Sequence, residues 1–194
     1  MAARRVSLWI LIVSLCAVVA GAATIPRHAP EFAMTGADGK QILLSQYNGK
    51  TVVFAFILTT CPHCQNTIGI LSKLQPEYAK RGVQFLACAI EDAAKENLPG
   101  FIQQFKPPFP VGYAPRTSVY DYLQHPSMLI LHMPAVLFID RQRMIRSQYE
   151  GESPFYKDEE QEKNFRMEID KLLKEGTVTS KSGPHKARAA QATK

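Results

Sequence analysis

Four consecutive residues carry the sharpest chemistry in this chain: Cys61-Pro62-His63-Cys64. Two thiols with two residues between them can close a disulfide within one helical turn, so one sulfur can attack a partner and the other can resolve the adduct. The attacking species is a thiolate, and a free cysteine has a pKa near about 8.5. A helix start favours the thiolate, because unpaired backbone N–H groups and the helix dipole stabilise negative charge there. His63 offers a hydrogen bond or a positive charge to the first cysteine. Pro62 suits the first helical position because it has no N–H to leave unpaired. The pattern predicts a redox-active pair, with Cys61 as nucleophile and Cys64 as resolving thiol.

Other uses of the two cysteines fit less well. Zinc takes four ligands as a rule, and no second Cys-x-x-Cys lies nearby. Cys88 and a histidine would have to join through folding. Covalent haem needs a histidine directly after the second cysteine, and residue 65 is Gln. A purely structural disulfide across so short a loop would stabilise little.

The pair must be held between a strand and a helix, and the flanking sequence supplies both. Thr51–Leu58 is an unbroken apolar run suited to a strand buried on both faces. A helix is expected from Pro62 to Arg81, with Thr67, Ile70, Leu71, Leu74 and Tyr78 on one face and Gly82 as its stop. Val83–Ile90 is a second buried strand, so residues 51–90 form a right-handed β-α-β unit. Upstream, Glu31–Thr35 and Gln41–Leu44 flank Asp38-Gly39, a hairpin signal, and Ser45–Asn48 forms one helical turn closed by Gly49. Downstream, Leu98, Phe101, Ile102 and Phe105 mark a helix with Asn97 as its cap and Pro99 in its first turn. Lys106-Pro107-Pro108 ends it. Phe109–Tyr113 reads as a strand and Ser118–Leu123 as a short helix. Ala135–Asp140 and Met144–Tyr149 pair as a hairpin, and Lys157–Lys174 is a last helix burying Phe165, Ile169, Leu172 and Leu173. The alternation predicts an α/β sandwich with a mixed sheet.

Composition agrees with one domain of ordinary size. The 194 residues are 46% hydrophobic with four cysteines, which excludes a disordered chain and a disulfide-dense scaffold. The formal charge of +6 suggests nucleic acid, but it sits at the ends: Arg4 and Arg5 at one, Lys181, Lys186, Arg188 and Lys194 at the other. The remaining 17 basic residues balance 17 acidic ones, so no basic face and no nucleic-acid partner is expected. Residues 1–22 read as an export signal: two arginines, the apolar Val6–Ala20, and a small-x-small site at Ala20-Gly21-Ala22. The alternative is an uncleaved membrane anchor, since Val6–Pro26 is uncharged over 21 residues. Both place the domain, residues 29–175, outside the cytoplasm, most simply in a periplasm. Residues 176–194 read as a disordered basic tail.

Between Ala29 and Lys174 the landmarks Ala29-Pro30-Glu31-Phe32, Leu44–Lys50, the strand TVVFAFI, the CPHC turn and Met133–Asp140 occur in an informative order. On them the chain resembles the thioredoxin superfamily, in particular the exported TlpA/ResA-like thiol-disulfide oxidoreductases related to the redoxin group. The resemblance implies a thioredoxin-like three-layer α/β/α sandwich with an N-terminal β-hairpin extension. It implies no cofactor beyond a Cys61–Cys64 disulfide, protein thiols and disulfides as substrates, and an upstream redox partner. It implies a cis Pro134 beside the cysteines, with the Met133 backbone open to an extended substrate segment.

Departures from the family are informative. Thr60, expected to face substrate, stands where many members have Trp; the sole Trp is Trp9. Ala55 stands where many carry a buried Asp or Asn, so a proton acceptor for Cys64 must come from elsewhere. Glu91 and Asp92 are both candidates. Cys88 reads as a buried, inert residue, and Met144, His28, His125, His132 and His185 form no constellation. The direction of exchange stays open: the Pro-His spacer is that of DsbA-like oxidants, while the surrounding chain is that of reductants. A peroxiredoxin reading lacks its loop residues, since Phe54 and Leu58 occupy the Pro and Thr/Ser places. A Sco-like copper carrier has three residues between its cysteines, and this chain has two.

Overall fold

The computed structural model describes residues 23–157 and 159–179. The segment read as export signal or anchor, and residues 180–194 of the tail, lie outside the described residues. Eight strands form one mixed sheet: β1 (Arg27–His28), β2 (Ala33–Gly36), β3 (Gln41–Leu43), β4 (Thr51–Ile57), β5 (Val83–Ala89), β6 (Val111–Tyr113), β7 (Ala135–Ile139) and β8 (Met144–Tyr149). Among the described residues four α-helices accompany them: α1 (Pro62–Ala79), α2 (Ala94–Phe105), α3 (Arg116–Leu123) and α4 (Gln161–Thr179). The spatial order is β1-β8-β7-β4-β5-β6-β2-β3.

After Thr51 the β4 run is apolar throughout because both faces of its strand are covered. Val53, Ala55 and Ile57 share one core with Ile68, Leu71 and Leu74 of α1, Leu98 and Phe101 of α2, and Phe165 and Ile169 of α4. Val52, Phe54 and Phe56 point the other way, toward Phe32, Val119, Tyr122 and Leu123. Three helices on one face and α3 on the other give the three-layer sandwich. In β5 the same alternation sends Phe85, Ala87 and Ala89 to the first core and Leu86 and Cys88 to the second. Cys88 therefore lies on the sheet face away from the CPHC turn, and it is fully buried.

Register decides what meets at the sheet's end. Parallel β4 and β5 align Ile57 with Ala89, so both strands finish together. Antiparallel β7 begins beside the same end, with Ala135 opposite Phe56. The chain leaving β4, the chain leaving β5 and the chain entering β7 thus converge on one edge. The hairpin of β2 and β3 turns at Asp38-Gly39, where Gly39 has a φ of +79°, and β2 adds itself antiparallel to β6.

Several boundaries differ from the sequence reading. Helix α2 starts at Ala94, so Asn97 lies inside it and is not its cap; the flanking Ala93 makes no side-chain capping bond. On α1, Ile68 takes the fully buried place and Ile70 is only half-buried. Helix α4 begins at Gln161, after a short 3-10 turn at Pro154–Tyr156, and runs to Thr179, past the expected domain end at 175. Its expected stripe of Phe165, Ile169, Leu172 and Leu173 is the buried one. Among the described residues, no helix is long and apolar enough to cross a membrane.

Candidate active site

Helical periodicity separates the two cysteines by environment. Cys61 is the N-cap of α1 in extended conformation, with Pro62 in the first turn. Cys64 falls on the stripe that continues through Thr67, Ile68 and Leu71, so its side chain is fully buried. Cys61 precedes that stripe and stays half-exposed, while Pro62 and His63 face solvent. Both sulfurs are free thiols. Local hydrogen bonds hold the turn: Cys61 N–H donates to the Leu58 carbonyl at 3.2 Å, and Gln65 N–H to the Cys61 carbonyl at 3.0 Å.

Burial pushes the Cys64 thiol far above the ordinary cysteine range. The backbone N–H of Leu58, 3.4 Å from its sulfur, opposes the rise, while Cys61 and the carboxylate of Glu91 add to it. Cys64 is thus a neutral thiol at physiological pH and needs a base before it can attack. The half-exposed Cys61 is the sulfur an incoming partner can reach.

Glu91 follows β5 and turns back to the cysteine loop. Its Oε1 accepts the Thr59 N–H at 3.0 Å and also the Thr59 hydroxyl. Its Oε2 is enclosed without a hydrogen-bond partner. Asp92, one residue on, is exposed. The structure therefore brings Glu91 to the pair and leaves Asp92 outside it. Ala55 lies fully buried in the core beneath α1 and offers no polar group.

The third contributor is the entry to β7. The Met133–Pro134 peptide is cis, Pro134 is buried and Met133 is half-buried. Met133 packs against the cores on both sheet faces. The loop before it exposes Met128, Leu129 and Ile130, an apolar run with Met128 95% accessible. Thr60 is exposed beside Cys61.

Four participants escaped the sequence reading. Thr59 and Gln65 link the turn to Glu91, with Gln65 Nε2 donating to the Thr59 carbonyl at 2.9 Å. The Tyr156 hydroxyl donates to the Tyr149 carbonyl at 3.0 Å and is raised well above the ordinary tyrosine value, first by burial and then by Cys64. Gly151 packs on the Met133 carbonyl. The Cys-Pro-x-Cys turn draws attention to its neighbours in sequence, and Thr59 and Gln65 could have been found there; Tyr156 and Gly151 have no local signal. Among the described residues, no three His, Cys, Asp or Glu side chains converge in a group able to hold a metal ion.

Comparison with known proteins places this geometry. The model of the AhpC/TSA family matches residues 25–148. The chain is similar to the thiol-disulfide oxidoreductase ResA of Bacillus thuringiensis subsp. konkukian, 27% identical over 130 residues, covering 66% of this chain and 70% of the relative. ResA of Bacillus anthracis is 34% identical over 89 residues, 45% of this chain and 50% of that one. In structure, the chain is similar to a thiol:disulfide interchange protein of the thioredoxin family from Chlorobium tepidum TLS. The TM-score is 0.63 at 22% identity, over 78% of this chain and 99% of that one.

Proposed function

From the premise that the chain belongs to the AhpC/TSA family and is a thiol-disulfide oxidoreductase of thioredoxin-like fold, we propose that it works outside the cytoplasm through the Cys61/Cys64 pair on protein substrates. The observation that carries this reading is the asymmetry of the pair: Cys61 half-exposed at a helix start, Cys64 buried and held neutral behind it.

The Cys61 thiolate attacks a substrate disulfide, forming a mixed disulfide and releasing one substrate thiolate. Cys61 sits at the helix start beside its unpaired N–H groups, His63 can donate a hydrogen bond to it, and Pro62 shapes the turn. Glu91 then takes the proton of Cys64, whose sulfur bonds to that of Cys61 as the second substrate sulfur leaves. Two electrons pass to the substrate, and the Cys61–Cys64 disulfide is the only redox group required. The reverse sequence oxidises a dithiol with the same residues. Asp92 is set aside as the acceptor, since its side chain faces solvent. Met133 and Pro134 enter β7 at the end of the sheet where β4 leads into Thr60 and Cys61, and an extended substrate segment would lie along the Met133 backbone. The exposed Met128–Ile130 run beside them supports a polypeptide partner over a small thiol. An upstream redox partner restores the starting state.

A glutathione redox titration tests the reading. The pair should titrate as a single two-electron couple, and Cys61→Ser should abolish exchange; full activity in that variant contradicts the mechanism. The same titration gives the direction: a potential near about −120 mV marks an oxidant and one near about −270 mV a reductant. Location is tested by protease accessibility of the full chain in intact cells after the outer barrier is opened. Digestion supports the extracytoplasmic reading, and protection until lysis contradicts it.

A further inference from the structure

We infer that Thr59 is a positioning residue, which fixes Glu91 so that one carboxylate oxygen is reserved for the thiol of Cys64. The inference rests on the reading of Glu91 as the acceptor, and its test separates the two.

Thr59 is 5% exposed and sits between the end of β4 and Cys61. Its backbone N–H and its hydroxyl both donate to the same oxygen of Glu91, Oε1. The other oxygen, Oε2, is enclosed and has no partner among the described residues. An ionised carboxylate has roughly four acceptor sites, so this allocation is selective. An enclosed polar atom without a partner is costly unless it has a task. Consecutive backbone N–H groups tie this carboxylate to that thiol: Leu58 N–H donates to Cys64 Sγ at 3.4 Å and Thr59 N–H donates to Glu91 Oε1 at 3.0 Å.

Thr59 is itself held. Its carbonyl accepts from Gln65 Nε2 at 2.9 Å, and the Gln65 N–H is bonded to the Cys61 carbonyl. The turn that carries both cysteines thus also holds the residue that orients the base. In the resolving step the proton passes from Cys64 Sγ to Glu91 Oε2. The Cys64 sulfur bonds to Cys61, and the substrate sulfur leaves as a thiolate. Thr59 touches none of the reacting atoms; it decides which oxygen is available and where it points.

The test measures the resolving step in stopped flow, as release of a chromogenic thiolate from its mixed disulfide with Cys61, across pH. Thr59→Val removes the hydroxyl and keeps the backbone N–H. It should slow the step about tenfold near neutral pH, the worth of one hydrogen bond to a charged group. The rate should recover as pH rises, because hydroxide replaces the carboxylate. Thr59→Ser should restore the wild-type profile. On a Glu91→Gln background, Thr59→Val should have no further effect, since Thr59 acts through that carboxylate. An unchanged profile in Thr59→Val, or equal slowing on both backgrounds, overturns the inference while Glu91 keeps its role. A wild-type rate in Glu91→Gln overturns the reading of Glu91 and this inference with it. Should Thr59→Val fold poorly, Gln65→Leu carries the same test from the half-exposed side of the clamp. Slowing that vanishes on the Glu91→Gln background supports it, and no slowing contradicts it.

Discussion

Gly151→Ala probes how tightly the Met133–Pro134 entry to β7 is held against the loop that follows β8. A Cβ on Gly151 would stand 2.7 Å from the Met133 carbonyl oxygen, 2.9 Å from its carbon and 3.0 Å from the His132 carbonyl carbon. All three are backbone atoms, so no side chain can swing aside. The two loops are also tied, since Gly151 N–H donates to the His132 carbonyl at 2.9 Å. Ordinary contact begins at 3.4 Å, so the Met133 carbonyl must retreat by about 0.7 Å. Overpacking of this kind costs about 1–3 kcal/mol. A shift of that size at the entry to β7 also moves the segment along which substrate is proposed to lie, and misplacement near ~1 Å can cost about 100-fold in rate. Urea unfolding should show the lost stability. Exchange with a disulfide-bonded peptide should fall roughly 10- to 100-fold, while reaction of Cys61 with a small alkylating agent stays within about twofold. An alanine variant within about 0.5 kcal/mol of wild type and fully active would refute the close-approach argument.

Further outcomes follow from burial and charge. Burial raises the Cys88 thiol far above its ordinary value, so the unfolded chain releases a proton at high pH that the folded chain keeps. That contribution is complete below the ordinary thiol range and is lost as pH rises through and beyond it. Cys88→Ala should remove a decline of about 1.4 kcal/mol per pH unit above roughly pH 9 from the reduced protein, read by urea unfolding; an unchanged slope contradicts the burial argument. Exchange activity of Cys88→Ala should match wild type, because Cys88 faces the other side of the sheet. His63→Ala should make the pair more reducing by roughly 30 mV, as the reduced pair loses a hydrogen-bond donor next to Cys61 in the turn; glutathione equilibration reads the shift, and an unmoved potential sets His63 aside.

The parts of the fold legible in sequence are those with short-range signals. The apolar runs of β4 and β5, the α1 stripe and the Asp38-Gly39 turn are each specified within a few residues. The α2 start was missed because Ala93 gives no side-chain cap and Asn97 looked like one. At the site, the cysteine pair was plain, and the choice between Glu91 and Asp92 was not. Adjacent residues leaving a strand point to opposite sides, and which one turns inward depends on where β5 ends against β4. Gly151 was invisible for a related reason: its constraint comes from His132 and Met133, in a loop remote in sequence. Family resemblance, and not residue spacing, pointed to Pro134.

The most direct measurement is trapping of the mixed disulfide with a disulfide-bonded polypeptide and mapping of the bond by mass spectrometry. The account predicts that Cys64→Ser accumulates an adduct at Cys61, since the attacking sulfur remains and the buried resolving thiol is gone. Cys61→Ser should form none. An adduct at Cys64 or Cys88, or undiminished exchange in Cys61→Ser, would contradict the assignment of the two sulfurs.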